Sequence, residues 1–251
     1  MRFACSKCGR PEEVIGDEAP LCRYCHEAMI KATDTYKGLL MSPKFVINRM
    51  ERIVGTYGTH EALTNGRLKK EREAYASAVW SLGLTEVDTH EHWIEIETVD
   101  QTPDTKVHYL DQSAGYNHRK IYNVEVVDWE PHIDDPMQVI RQKCARAYPP
   151  YFSLLVFGRS GIEKVVEAST LLEEVHHLKV PFGEIWIIGR TSDSGYRMLK
   201  LHPHEFWIDV DIRRALTRDT RTKDFMKYEA RGKSMEIRDL GQVYLPIPSI
   251  R

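Results

Sequence analysis

Two pairs of cysteines carry the clearest chemistry in this chain: Cys5-x₂-Cys8 and Cys22-x₂-Cys25, with thirteen residues between the pairs. A pair at this spacing can grip one metal ion from a tight turn, and two pairs complete a tetrahedral thiolate cage. Gly9, directly after Cys8, suits a turn whose amides point at the thiolates. The expected occupant is zinc, in a ribbon or a treble-clef-like finger. Four sulfurs leave no open coordination position, so the expected role is structural rather than catalytic. His26 could replace one thiolate, but Cys25 already closes the set. Two disulfides would use the same residues. No apolar leader precedes Cys5, so a reducing cytoplasmic setting is expected and disulfides are disfavoured. Cys144 lies in a helical pattern and reads as a small buried apolar residue.

A second constellation is acidic. Thr105–Leu110 and Ile121–Val127 read as two strands, with a polar turn around Gly115 between them. Folded as a hairpin, their paired positions sum to about 230, which sets Asp104 opposite residue 126 and beside Glu125. Two carboxylates that close repel unless a cation lies between them, and a hard divalent ion, Mg²⁺ or Mn²⁺, is the natural occupant. Such an ion polarises a phosphodiester and activates water. Read alone, Pro103-Asp104 is a common turn dipeptide, and Glu125 is a solvent-facing strand residue. The histidine pairs His176-His177 and His202-Pro203-His204 lack a partnering acid or cysteine in sequence and read as structural or surface residues. Nucleophile-elbow, dinucleotide and phosphate-loop fingerprints are missing.

The elements that must position these residues follow from hydrophobic periodicity. Ser42-Pro43 reads as a helix cap with proline in the first turn, and Phe45, Val46, Met50, Ile53 and Tyr57 recur at helical spacing up to Gly58. A second helix is predicted over 68–82, with Leu68, Tyr75, Val79 and Leu82 on one face and Gly83 as its stop. Strands are predicted over 92–99, 105–110 and 121–127. A helix begins after Asp135-Pro136 and carries Met137, Ile140, Cys144 and Tyr148. The apolar run 151–157 reads as a central strand buried on both faces. A helix over 161–178, a strand over 184–188 and strands over 196–201 and 206–212 complete the pattern. The expected fold class is α/β, a mixed central sheet flanked by helices and preceded by a small zinc-binding module. The expected domains are 1–32 for the zinc module, 33–66 for a helical connector, 67–212 for the core and 213–251 for a basic extension.

This order of elements, with Pro103-Asp104 before one strand and the acidic Asn123-Val124-Glu125-Val126-Val127 segment in the next, resembles the PD-(D/E)xK, restriction-endonuclease-like nucleases over about residues 68–188. The resemblance implies a nuclease that hydrolyses DNA, with Asp104 and Glu125 as ligands of Mg²⁺ or Mn²⁺. It implies a helping glutamate on the preceding helix, for which Glu71 is chosen over Glu73 because it borders the Leu68/Tyr75 face. The family's lysine, two residues after the acidic one, is Val127 here. The resemblance then assigns its role to a lysine of the next helix, Lys143.

Bulk composition fits this reading without demanding it. The chain has 251 residues, 42% hydrophobic and 29% charged, with a formal net charge of −2. That allows one substantial core plus a mini-domain, and no apolar run is long enough to span a bilayer. Residues 213–238 hold nine Lys/Arg against four Asp/Glu, compatible with nucleic-acid contact or with a solvated charged face. The zinc module is expected to help hold nucleic acid or a partner protein. Two other functions use the same features. One is a catalytically inactive nuclease fold that binds nucleic acid, which Val127 favours; the other is a zinc-ribbon adaptor that docks proteins.

Protein purified without chelator is expected to carry about one equivalent of zinc, lost together with the fold of the N-terminal module on replacing Cys5 or Cys22 by serine. Four reactive thiols in folded, metal-free protein would contradict this.

Overall fold

The computed structural model describes residues 38–88, 90–97, 102–111, 117–130, 135–159, 167–231, 234–240 and 250, together with four two-residue strands nearer the N-terminus. The chain divides into two compact units, 1–37 and 38–251. In the first, β1 (Phe3–Ala4) pairs with β2 (Pro11–Glu12), and β3 (Val14–Ile15) pairs with β4 (Leu21–Cys22), both antiparallel. Cys22 thus lies on a strand, while Cys5, Cys8, Cys25 and the side chain of Cys22 lie outside the described residues.

The second unit is built on one ten-stranded sheet. Its strands in chain order are β5 (Leu39–Met41), β6 (Glu91–Ile96), β7 (Thr105–Asp111), β8 (Asn117–Trp129), β9 (Phe152–Gly158), β10 (Glu184–Arg190), β11 (Gly195–His202), β12 (Phe206–Asp211), β13 (Phe225–Arg231) and β14 (Ser234–Asp239). Across the sheet they run β12-β11-β10-β9-β8-β7-β6-β5-β13-β14. Strands β8, β9 and β10 are mutually parallel, and the remaining neighbours are antiparallel. The parallel strand β9 is buried along its whole length, as its unbroken apolar run requires.

Helices cover both faces. The first, α1 (Pro43–Tyr57), starts with Ser42 Oγ accepting the Phe45 N–H at 3.0 Å and ends at Gly58, whose φ of 84° suits glycine. It is followed by α2 (Thr59–Thr64), a 3₁₀ turn (Gly66–Leu68) and α3 (Lys69–Asp88). On α3, Trp80 is fully buried and meets Trp186 and Tyr122 edge-on at 5.9 and 5.3 Å. On the other face, α4 (Pro136–Cys144) and α5 (Ala168–His176) bring Met137, Ile140, Leu171 and Val175 onto Leu154 and Val156. Asp135 caps α4 through the Met137 N–H at 2.8 Å. Cys144 packs against this core but is only half-buried, short of the full burial expected. The last helix among the described residues is α6 (Ile212–Arg218).

Three expectations change. Helix α3 does not stop at Gly83 but continues to Asp88. Gly83 instead packs closely on the sheet, where a Cβ would collide with the end of the Met198 side chain. Helix α4 ends at Cys144, short of Tyr148. The segments read as a connector and a basic extension are not separate: β5 pairs with β6 on one side and β13 on the other, which widens the sheet. Part of the basic character of 213–251 is structural, since Arg221 pairs with Asp219 at 2.7 Å and donates to the His92 carbonyl at 2.7 Å.

Helix α1 is clamped to α3 by a two-pronged ion pair, with Arg49 Nε and Nη2 each 2.9 Å from the Glu71 carboxylate. The Arg49 side chain is only 3% exposed. Removing one partner of a buried pair costs about 3–5 kcal/mol. Glu71→Ala is therefore expected to lower unfolding stability by about that amount in denaturant titration. A change within about 0.5 kcal/mol would mean that Glu71 does not hold the two helices together.

Candidate functional site

Asp104 sits at the entrance to β7, where the hairpin register decides its neighbours. Thr105 pairs with Val124, and the Asp104 N–H continues the ladder to the Val124 carbonyl at 3.0 Å. The sum is thus 229, one less than expected, and a bulge between Tyr109 and Leu110 accounts for the shift nearer the turn. The next position on β8 after Val124 is Glu125, so Asp104 and Glu125 come side by side. Asp104 Oδ2 accepts the main-chain N–H of Val126 at 2.9 Å, and Oδ1 faces Lys70 Nζ at 3.4 Å. The residue is 8% exposed.

Glu125 lies on β8 facing α4. Its Oε1 accepts from Lys143 Nζ and, at 3.1 Å, from the Tyr148 hydroxyl. Burial, followed by the Glu125 charge, raises the Tyr148 phenol above its ordinary pKa, so it remains a protonated donor. Val127, at the position two residues on, packs against the core beneath α4. The ammonium that meets Glu125 is that of Lys143, from the last turn of α4. Arg141 on the same helix points elsewhere, to Asp135 and Glu174.

Of the two glutamates early in α3, Glu73 and not Glu71 shares a lysine with Asp104. Helix α3 is buried on all sides from Ala76 to Gly83, so its Leu/Tyr stripe does not mark the face that meets the sheet. Ser77, bonded to Thr105 at 2.7 Å, and Trp80 mark that face, and Glu73 stands one turn before Ser77. Glu73 Oε2 lies 3.0 Å from Lys70 Nζ and Oε1 3.3 Å from Lys69 Nζ. Neither oxygen has a partner in hydrogen-bond geometry, although both are buried. Lys70 therefore stands between Glu73 and Asp104.

Asp104 and Glu125 border a cavity of about 460 Å³, whose lining also holds five cations, Arg67, Lys69, Lys70, Lys143 and Arg146. Two carboxylates under a basic rim suit a divalent cation below and an anionic substrate above. Mg²⁺ commonly takes only one or two carboxylates, its remaining positions going to water and substrate phosphate. Among the described residues, no group of three or more His, Cys, Asp or Glu side chains could hold a metal ion by itself. The histidine pairs His176-His177 and His202/His204 belong to no such group.

Comparison with family models, with curated proteins and with solved structures returns no match for the chain.

Burial, and then the neighbouring Asp104 charge, push the Glu73 carboxyl from 4.5 up to about 7. A carboxyl raised in the folded state holds its proton more tightly folded than unfolded. Its contribution to stability therefore falls as pH rises from about 4.5 through about 7. In chelator, Glu73→Gln is expected to gain melting temperature over the wild type progressively across that window and to show no further gain above it. A difference that is constant with pH would contradict the assignment of a buried, proton-holding Glu73.

Proposed function

We propose that this protein is a metal-dependent nuclease that hydrolyses phosphodiester bonds in DNA. The observation that carries the reading is the meeting of two buried carboxylates, Asp104 and Glu125, from adjacent strands, with Lys143 on Glu125 and a basic rim around the cavity they line; Glu73 stands behind Asp104 and shares Lys70 with it. On this reading the core is of the restriction-endonuclease-like kind and the N-terminal zinc module helps hold nucleic acid or a partner protein.

Asp104 and Glu125 would hold Mg²⁺ or Mn²⁺, and Glu73 would hold Lys70 beside them. The ion, when bound, polarises the phosphodiester and lowers the pKa of an attacking water. The chain's own residues do the positioning. The Val126 N–H fixes the Asp104 carboxylate, and the Tyr148 hydroxyl fixes that of Glu125. Lys143 supplies the positive charge that Val127 cannot, aimed at the phosphate or at the water. Arg67, Lys69 and Arg146 give the rim the charge that phosphates seek.

A second reading, an inactive nuclease fold that binds nucleic acid, is favoured by one observation. Lys70 and Lys143 already neutralise both carboxylates.

Plasmid cleavage in Mg²⁺ and in Mn²⁺ separates the two. Asp104→Asn and Glu125→Gln are each expected to lower cleavage by at least about a hundredfold, the scale of losing one such charge-positioning group. In the first variant the new side-chain amide oxygen would still accept the Val126 N–H, so the fold is kept. Lys143→Ala is expected to slow cleavage while DNA binding persists and falls with salt. Wild-type protein that binds DNA but never cuts it would leave the inactive reading standing.

A further inference from the structure

A second cavity, of about 250 Å³, lies on the α3 side of the sheet. It opens where the parallel strands β8, β9 and β10 end, between Asp128, Phe157, Arg159 and Arg190 of those strand ends and Arg72 and Tyr75 of α3. Crevices outside the carboxyl ends of parallel strands are where α/β sheets bind ligands. It is separate from the acidic site but near it. Arg72 precedes Glu73, and Asp128 follows Glu125 by three residues, about 10 Å along the strand.

One wall carries Arg72, Arg159 and Arg190, and the acids Glu51, Asp128 and Asp193 share the lining. The side chains of Arg72 and Arg159 are 10% and 12% exposed. The Nε of each is buried with no hydrogen-bond partner, that of Arg72 lying 3.7 Å from Asp128 Oδ2. Other atoms of both side chains are anchored: Arg72 Nη1 donates to the Asn65 carbonyl at 2.8 Å, and Arg159 Nη2 donates to Asp128. Arg190 is held on the same rim by the Ser192 and Asp193 carbonyls at 2.9 and 2.8 Å. A buried guanidinium N–H without an acceptor is costly, and a phosphate against this wall would add charge-assisted hydrogen bonds to the two arginines that line it. The other wall is flat and aromatic. Phe157 stacks on Tyr196 with centroids 5.9 Å apart and meets Tyr75 edge-on at 6.0 Å. The two tyrosine hydroxyls bond each other at 3.0 Å, which turns their polar ends together.

We propose that this cavity binds a single phosphorylated nucleotide, its phosphate on Arg72 and Arg159 and its base against the Tyr75, Phe157 and Tyr196 rings. The volume is below the roughly 300–1,000 Å³ of drug-sized ligand sites, so it suits one unit and not a strand. The choice of a nucleotide over another flat anion rests on the nuclease reading. The nucleotide has two possible sources, the 5′-phosphorylated end of a substrate strand or a free nucleoside monophosphate. Both present the same chemistry to the cavity.

The test is equilibrium binding by the full chain in chelator, so that no cleavage intervenes. The probes are deoxyadenosine monophosphate, inorganic phosphate, and a short single strand with either a 5′-phosphate or a 5′-hydroxyl. The monophosphate or the phosphorylated strand is expected to bind at least about tenfold more tightly than inorganic phosphate, equivalent to 1.4 kcal/mol. Arg159→Gln should remove that advantage. So should Leu63→Trp, which fills the cavity from α2 without altering charge; unchanged circular dichroism serves as the check of fold. Preference for the free monophosphate identifies an effector, and preference for the phosphorylated strand over the hydroxyl strand identifies a strand-end site. Equal binding of inorganic phosphate and nucleotide, or binding unmoved by both variants, overturns the proposal. Failure of the wild type to cut plasmid in Mg²⁺ while nucleotide binding persists would overturn the nuclease reading alone.

Discussion

One hydrogen bond organises the acidic site: the Val126 main-chain N–H to Asp104 Oδ2, at 2.9 Å. It acts where β7 begins, so the Asp104 side chain serves as acceptor just past the Thr105–Val124 pair. A buried N–H must find an acceptor somewhere, and here the acceptor is charged, which strengthens the bond. The carboxylate is thereby fixed at the sheet, next to Glu125. Everything else at the site arrives around that fixed point: α3 brings Glu73 and Lys70 from one side, and α4 brings Lys143 from the other.

The electrostatics follow from how little water reaches these groups. Glu73, Asp104 and Glu125 are 4%, 8% and 6% exposed. Burying unpaired carboxylates costs several kcal/mol each, and grouping them adds mutual repulsion. The structure answers with Lys70 between Glu73 and Asp104 and Lys143 on Glu125. On the proposed reading these ammonium groups balance the acids until a divalent ion arrives, and then become available to phosphate. The lysines pull the Glu73 carboxyl down, but burial and the neighbouring Asp104 charge outweigh them.

The adjacency of Asp104 and Glu125 was legible because period-two alternation and a glycine turn nearly fix a hairpin. Next to the turn the pairs sum to 228, two below the expected 230, and the Tyr109/Leu110 bulge, which no propensity announces, restores one of the two. Lys143 was legible as the only lysine on the following helix, α4. Glu73 was missed for a definite reason. Its helix is wrapped on all sides, by α1 as well as by the sheet, so apolar residues occur around the whole circumference and the stripe used to orient it carried no information. Glu71 is spoken for by Arg49, a contact between residues 22 apart in sequence that only the tertiary structure reveals. The joining of β13 to β5 is likewise long-range, and no local pattern in a polar, basic segment points to it.

The central claim is that Asp104 and Glu125 share one divalent cation. Anomalous diffraction from crystals soaked in Mn²⁺ tests it most directly. The account predicts a single strong manganese peak within coordination distance, about 2.0–2.6 Å, of an oxygen of each carboxylate, with Lys70 or Lys143 displaced. Manganese absent from that position at saturating concentration, with both lysines still on their carboxylates, would contradict it.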